Sequence, residues 1–222
     1  MSARTILVLC ADCDTGYRLV QLGVRSEHQV IAAIRPWTDG SRYERMGAEV
    51  VKVDPTRQQD VVALFANLNP QGLHVACVLG GTPKINSQGN INAINAAARF
   101  GVSRFLLQTS IGCGDSAEAV DEFVKVFVGK ALTAKNWAER HLQTTDLDWT
   151  IIRAGGVFRR TFTGGGILLE SRTVSGYINA DELGDVIFQA LLSAKTRHKI
   201  LAAVDADEVH EIDGVPVVAA EI

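Results

Sequence analysis

Short runs of β-branched and aliphatic residues recur along the chain, each followed by a stretch whose apolar positions fall three and four apart. The runs at residues 6–9, 28–34, 48–53, 73–79, 102–109, 147–153 and 199–204 are mostly continuous rather than alternating. That is the pattern of strands buried on both faces of a parallel sheet. Between them the spacing predicts helices: one carrying Leu19, Val20 and Leu22, a short polar one at 41–46, then 58–68, 86–100, 120–142 and 180–194. The tract 120–142 reads as one helix with a break near Gly129, or as two. The glycine-rich residues 155–176 predict an irregular stretch, and the apolar tail 215–220 suits an edge strand or a subunit contact. Strands alternating with helices in this rhythm predict an α/β fold, a doubly wound parallel sheet with helices on both faces and right-handed crossovers. No repeat, low-complexity segment or linker divides the chain, so residues 1–222 are expected to form one domain.

The first strand runs directly into a turn and a helix, the order in which a Rossmann-like fold holds the pyrophosphate of a dinucleotide. A G-x-x-G-x-x-G turn would place glycines at positions 10, 13 and 16, where this chain has Cys10, Cys13 and Gly16. The glycine that permits close helix-to-strand packing is kept, and the two that serve the turn and the backbone approach are replaced. Asp12 and Asp14 flank Cys13, at the place where pyrophosphate would dock. Two like charges about 4 Å apart repel by roughly 4 kcal/mol at an effective dielectric near 20. A helix N-terminus returns about 0.3–1 kcal/mol, and about 2 at most. Dinucleotide binding is therefore expected to be penalised unless the carboxylates turn outward.

A net charge of -3 gives no reason to expect nucleic acid or an anionic membrane as partner. No apolar run approaches the roughly 20 residues needed to span a bilayer, and the first strand begins too early for a signal peptide to precede it. Four cysteines without a framework spacing suggest a reducing cytoplasm. Cys10-x-x-Cys13 also admits a reading as a thiol redox pair at a helix N-terminus, against which Asp12 and Asp14 would oppose a thiolate. Its alternative is two small residues filling glycine positions. A zinc site would need two more ligands, and Cys77 and Cys113 belong to a separate strand and loop, so no metal is expected. The loop 112–116 lies beyond the fifth strand, where α/β sheets bind ligands, and makes Asp115 a candidate acid or base. Arg159 and Arg160, with Gly164 to Gly166, form a flap or a plain loop.

Several segments together resemble the atypical short-chain dehydrogenase/reductase group, with its NmrA-like and biliverdin-reductase-B-like branches. They are Thr5-Ile-Leu-Val-Leu, Ala32-Ala-Ile-Arg35-Pro, Val53-Asp54, the long stretch from Asn92 through Thr109-Ser110-Ile-Gly, Ile151-Ile-Arg153-Ala-Gly-Gly and Ile178-Asn-Ala-Asp181. The resemblance spans roughly residues 5–204 and implies an NAD(P)-binding protein that passes hydride to a small organic substrate. It implies that the turn Cys10, Asp12, Cys13, Asp14, Thr15 and Gly16 borders the cofactor. Arg35 would meet the adenosine 2′-phosphate and favour NADP, since a guanidinium fork suits a phosphate. Asp54 would border adenine, Gly80 and Gly81 would let the cofactor backbone pass, and Ser110 would stand near the nicotinamide. Lys135 matches the lysine of the Tyr-x-x-x-Lys pair, whose tyrosine position is Ala131 here, with no proton to give. Such folds are commonly dimers, so a homodimer is expected. The alternative is a fold that has lost dinucleotide redox chemistry and acts as an isomerase or lyase without cofactor, or as a binding protein.

Overall fold

The computed structural model describes residues 3–159, 161–211 and 219–222. Its strands are β1 (Thr5–Leu9), β2 (Gln29–Ile34), β3 (Glu49–Lys52), β4 (Leu73–Cys77), β5 (Arg104–Ser110), β6 (Trp149–Ala154), β7 (Gly156–Phe158), β8 (Gly166–Leu169), β9 (Val174–Ser175), β10 (Tyr177–Asn179), β11 (Ile200–Asp205) and β12 (His210–Glu211). The α-helices are α1 (Asp14–Arg25), α2 (Ser41–Glu44), α3 (Gln58–Ala66), α4 (Asn90–Phe100), α5 (Glu122–Leu142) and α6 (Ala180–Leu192). Eight strands form one sheet in the order β3-β2-β1-β4-β5-β6-β11-β8. The chain winds outward from β1 in one direction and from β4 in the other. The carboxyl ends of β1 and β4 therefore flank a crevice at the point where the winding reverses.

Burial on both faces explains the continuous apolar runs. In β1, Ile6 and Val8 pack with Leu19 and Val20 of α1 and Leu183 and Ile187 of α6. Leu7 and Leu9 point the other way, into Val61 and Phe65 of α3, Ala93 and Ala97 of α4, and Ala138 and Leu142 of α5. Alternate residues of a strand face opposite sides, so a strand sandwiched between helices has no polar side to show.

The doubly wound sheet with helices on both faces is as expected, with one antiparallel strand, β8, beside β11 at its edge. Two expectations are corrected. The stretch 155–176 is less irregular than its glycines suggest, because it contributes β8 to the main sheet, β7 pairs parallel with β10, and β9 pairs with β12. Helix α5 runs unbroken through Gly129, because Leu132, Ala134, Ala138 and Leu142 are buried, the last two in the core against the sheet; packing of that kind outweighs one weak residue. Of the expected tail strand, residues 215–218 lie outside the described residues, while Ala219 bridges antiparallel to Leu169. Arg160 of the expected flap also lies outside them. Among the described residues no helix is long and apolar enough to cross a membrane.

Candidate functional site

The turn after β1 is built around two cysteines in glycine positions. Cys10 adopts a left-handed backbone, φ 71°, which costs a residue with a side chain about 1–2 kcal/mol. The Cys13 N–H closes the turn on the Cys10 carbonyl at 3.2 Å. Cys13 then caps α1, its sulfur accepting from the Gly16 N–H at 3.3 Å. A Cβ on Gly16 would stand 2.1 Å from the Cys10 carbonyl oxygen, so position 16 admits glycine alone. Thr15 is buried beside it in the first turn of the helix. A hydrogen bond between the two thiols raises the pKa of Cys10 and lowers that of Cys13.

Neither carboxylate of the turn is left unpaired. Asp12 Oδ2 accepts from Arg35 Nε at 2.5 Å and from the Thr38 hydroxyl at 2.8 Å. Asp14 is held by both Arg159 Nε at 2.7 Å and Nη2 at 2.5 Å. Burial alone would raise the Asp12 pKa; the bonds from Arg35 and Thr38 outweigh it and hold the carboxyl below its usual range. The Arg159 bonds lower Asp14 likewise. Two acids matched by two guanidinium groups remove the net charge that the sequence placed at the turn. Arg159 follows β7, which leaves the sheet just after Ala154, the register partner of Ser110. The segment 156–159 thus spans from the end of β5 and β6 to the turn.

Cys10, Asp12, Arg35, Asp54, Gly80 and Gly81 all line one cleft of about 390 Å³ at the carboxyl ends of β1 to β4. Apolar Ile34, Pro55, Val61 and Leu79 complete its walls, and the exposed Trp37 ring lies 5.8 Å from the Arg35 guanidinium carbon. Asp54 accepts from the Thr56 N–H and hydroxyl at 3.0 and 2.8 Å and pairs with Arg57 at 3.4 Å. Gly81 needs its freedom, with φ 126°, while a Cβ on Gly80 would meet only open space. An apolar slot beside a glycine-tight helix N-terminus fits the adenosine half of a dinucleotide.

Farther along the sheet edge, Lys135 of α5 donates to the Ser110 hydroxyl at 2.7 Å. Burial lowers the Lys135 pKa from its ordinary 10.5. Ala131 sits one helical turn before Lys135 and Glu139 one turn after it, on the same face. Glu139 was not among the residues expected at the site; its spacing from Lys135 was the available signal. It is 1% exposed and accepts from Thr109 at 2.5 Å and from Arg153 at 3.2 and 2.7 Å. Asp115 is turned to the cations Arg153 and Arg172 and lines a cleft that Ser110 and Lys135 do not share. It is bound by Arg153 and Arg172, and burial, which would raise its pKa, is outweighed by these two cations. With Arg153 and Arg172 it lines a separate cleft of about 370 Å³. Among the described residues no group of three or more His, Cys, Asp or Glu is placed to hold a metal ion.

A family model described as NAD(P)H-binding matches residues 11–194. An uncharacterised chloroplastic protein of Arabidopsis thaliana is 26% identical, over 92% of this chain and 78% of its own. A protein of Bacillus subtilis named as an uncharacterised sugar epimerase is 24% identical, over 91% and 94%. The solved structure of the anaerobilin reductase ChuY of Escherichia coli O157:H7 superposes with a TM-score of 0.84 at 25% identity, covering 91% of this chain and 98% of that one.

Proposed function

This chain belongs to the NAD(P)H-binding family, and from that premise we propose that it is an NAD(P)H-dependent reductase acting on a small organic acceptor. When bound, a reduced nicotinamide supplies the hydride. The observation that carries the reading is the 2.7 Å contact of Lys135 Nζ with Ser110 Oγ at the carboxyl end of β5. Because the ammonium donates into the serine oxygen, the hydroxyl hydrogen of Ser110 is free to point at an acceptor. Ser110 then gives its proton to the atom that gains negative charge, and Lys135 returns one to Ser110, so the pair performs the work of the tyrosine missing at Ala131.

Arg35, a guanidinium half exposed at the rim of the adenosine cleft, is the residue on which a preference for NADP over NAD would turn. Reduced thiols fit the cytoplasm as compartment, although the Arabidopsis relative is chloroplastic. Calorimetric titration with NADPH and NADH tests the proposal, followed by loss of nicotinamide absorbance on adding anaerobilin, a quinone or an aldehyde. We expect micromolar binding of at least one nucleotide and turnover with one acceptor class. A second reading, action without a dinucleotide, is favoured by Cys10 and Cys13 in the glycine positions. Absence of binding up to millimolar nucleotide would select it.

A further inference from the structure

Asp12 sits at the cleft with one oxygen spent and one unspent. Its side chain is 0% exposed, Oδ2 accepts from Arg35 and Thr38, and Oδ1 is buried without a hydrogen-bond partner. A buried acceptor left unsatisfied is destabilising, and an arriving hydroxyl would satisfy it. The same carboxylate occupies Arg35, the residue that would receive a 2′-phosphate. Of the charged residues lining the cleft, Asp12 and Asp54 are acidic and Arg35 is basic, with Arg35 engaged by Asp12 and Asp54 paired with Arg57. A 2′-phosphate, adding about -1.5 to -2 at neutral pH, would therefore meet no unengaged cation among the residues lining the cleft.

We propose that Asp12 sets the choice between the two nicotinamide cofactors: it holds Arg35 in an ion pair and offers Oδ1 to the ribose hydroxyls. The protein therefore takes NADH at least as well as NADPH. This rests on the dinucleotide reading above; Rossmann folds that take NAD hold the ribose hydroxyls with an acidic residue about 20 residues beyond the glycine turn, and here the turn itself supplies that carboxylate.

Calorimetric dissociation constants for NADH and NADPH on the wild-type chain, Asp12→Asn and Arg35→Gln test it. In the wild type, NADPH should bind no tighter than NADH. Asp12→Asn should tighten NADPH by about tenfold, or about 1.4 kcal/mol, with NADH unchanged or weaker. Arg35→Gln should change NADPH affinity less than about threefold, because its charge is already engaged. A wild-type preference for NADPH of tenfold or more overturns the proposal without the need for any variant. So does an Asp12→Asn protein whose NADPH-to-NADH ratio matches the wild type. If neither nucleotide binds to any of the three proteins, the dinucleotide reading itself falls, and this one with it.

Discussion

At the scale of single residues, Lys135 has the clearest consequence for chemistry. Its ammonium is half-buried against Ser110, and burial pushes its pKa below 10.5. A lowered lysine pKa means that the proton is lost earlier as pH rises, so a rate that depends on the ammonium should fall on the alkaline side before an ordinary lysine titrates. Lys135→Met should lower the maximal reductase rate by about 10²-fold, the usual contribution of a positioned proton donor, with nicotinamide affinity changed less than about threefold. Lys135→Arg should keep its charge throughout and remove that alkaline limb. A pH–rate profile identical in wild type and Lys135→Arg would exclude Lys135 from proton delivery. Gly16 shows the other kind of legible residue, one fixed by space alone: the Cys10 carbonyl leaves it no room for a side chain.

Among the elements, α5 is the longest α-helix and the one that carries Lys135 and Glu139. Its glycine at position 129 marks no break, and a Cβ there meets nothing within 4 Å. Gly129→Ala should therefore stabilise the protein by about 0.8–1 kcal/mol, the helix-propensity difference between the two residues. Urea unfolding measures it directly, and a lowered midpoint would mean that the helix is not continuous there. A break at Gly129 is what local propensity predicts, whereas what holds the helix is its buried face, with Ala138 and Leu142 packed in the core against the sheet. For the same reason β8 was not legible: Gly166–Leu169 is too short to signal itself, and only its antiparallel pairing with β11 makes it a strand.

Over the whole molecule, the amino ends of the sheet hold a histidine that no motif singled out. His74, 6% exposed in β4, accepts from Arg4 at Nε2 (2.7 Å) and faces the Leu191 carbonyl at Nδ1 (3.2 Å). Burial, and then the Arg4 guanidinium, push its pKa from 6.5 down to about 4. Between those values the unfolded chain takes up a proton that the native protein refuses. The stability contributed by the neutral ring is complete above the unfolded pKa and is lost as pH falls toward the folded one. From pH 7 to 5 that single linkage should remove about 2 kcal/mol. His74→Gln should unfold with a correspondingly flatter pH dependence, read from urea midpoints at the two pH values. Equal slopes would mean that the ring is already protonated in the fold.

The sequence by itself determined the alternation of the main strands and helices, the buried character of the central strands and the turn that meets a ligand crevice. These follow from periodicity and from positions repeated at strand ends, which neighbouring residues specify. The tertiary structure alone decided what the charges do. Asp12 is answered by Arg35, 23 residues away, and Asp14 by Arg159, 145 residues away. Repulsion between two carboxylates is visible in a short stretch of chain, whereas the cations that cancel it arrive only when the sheet brings distant segments to the same edge.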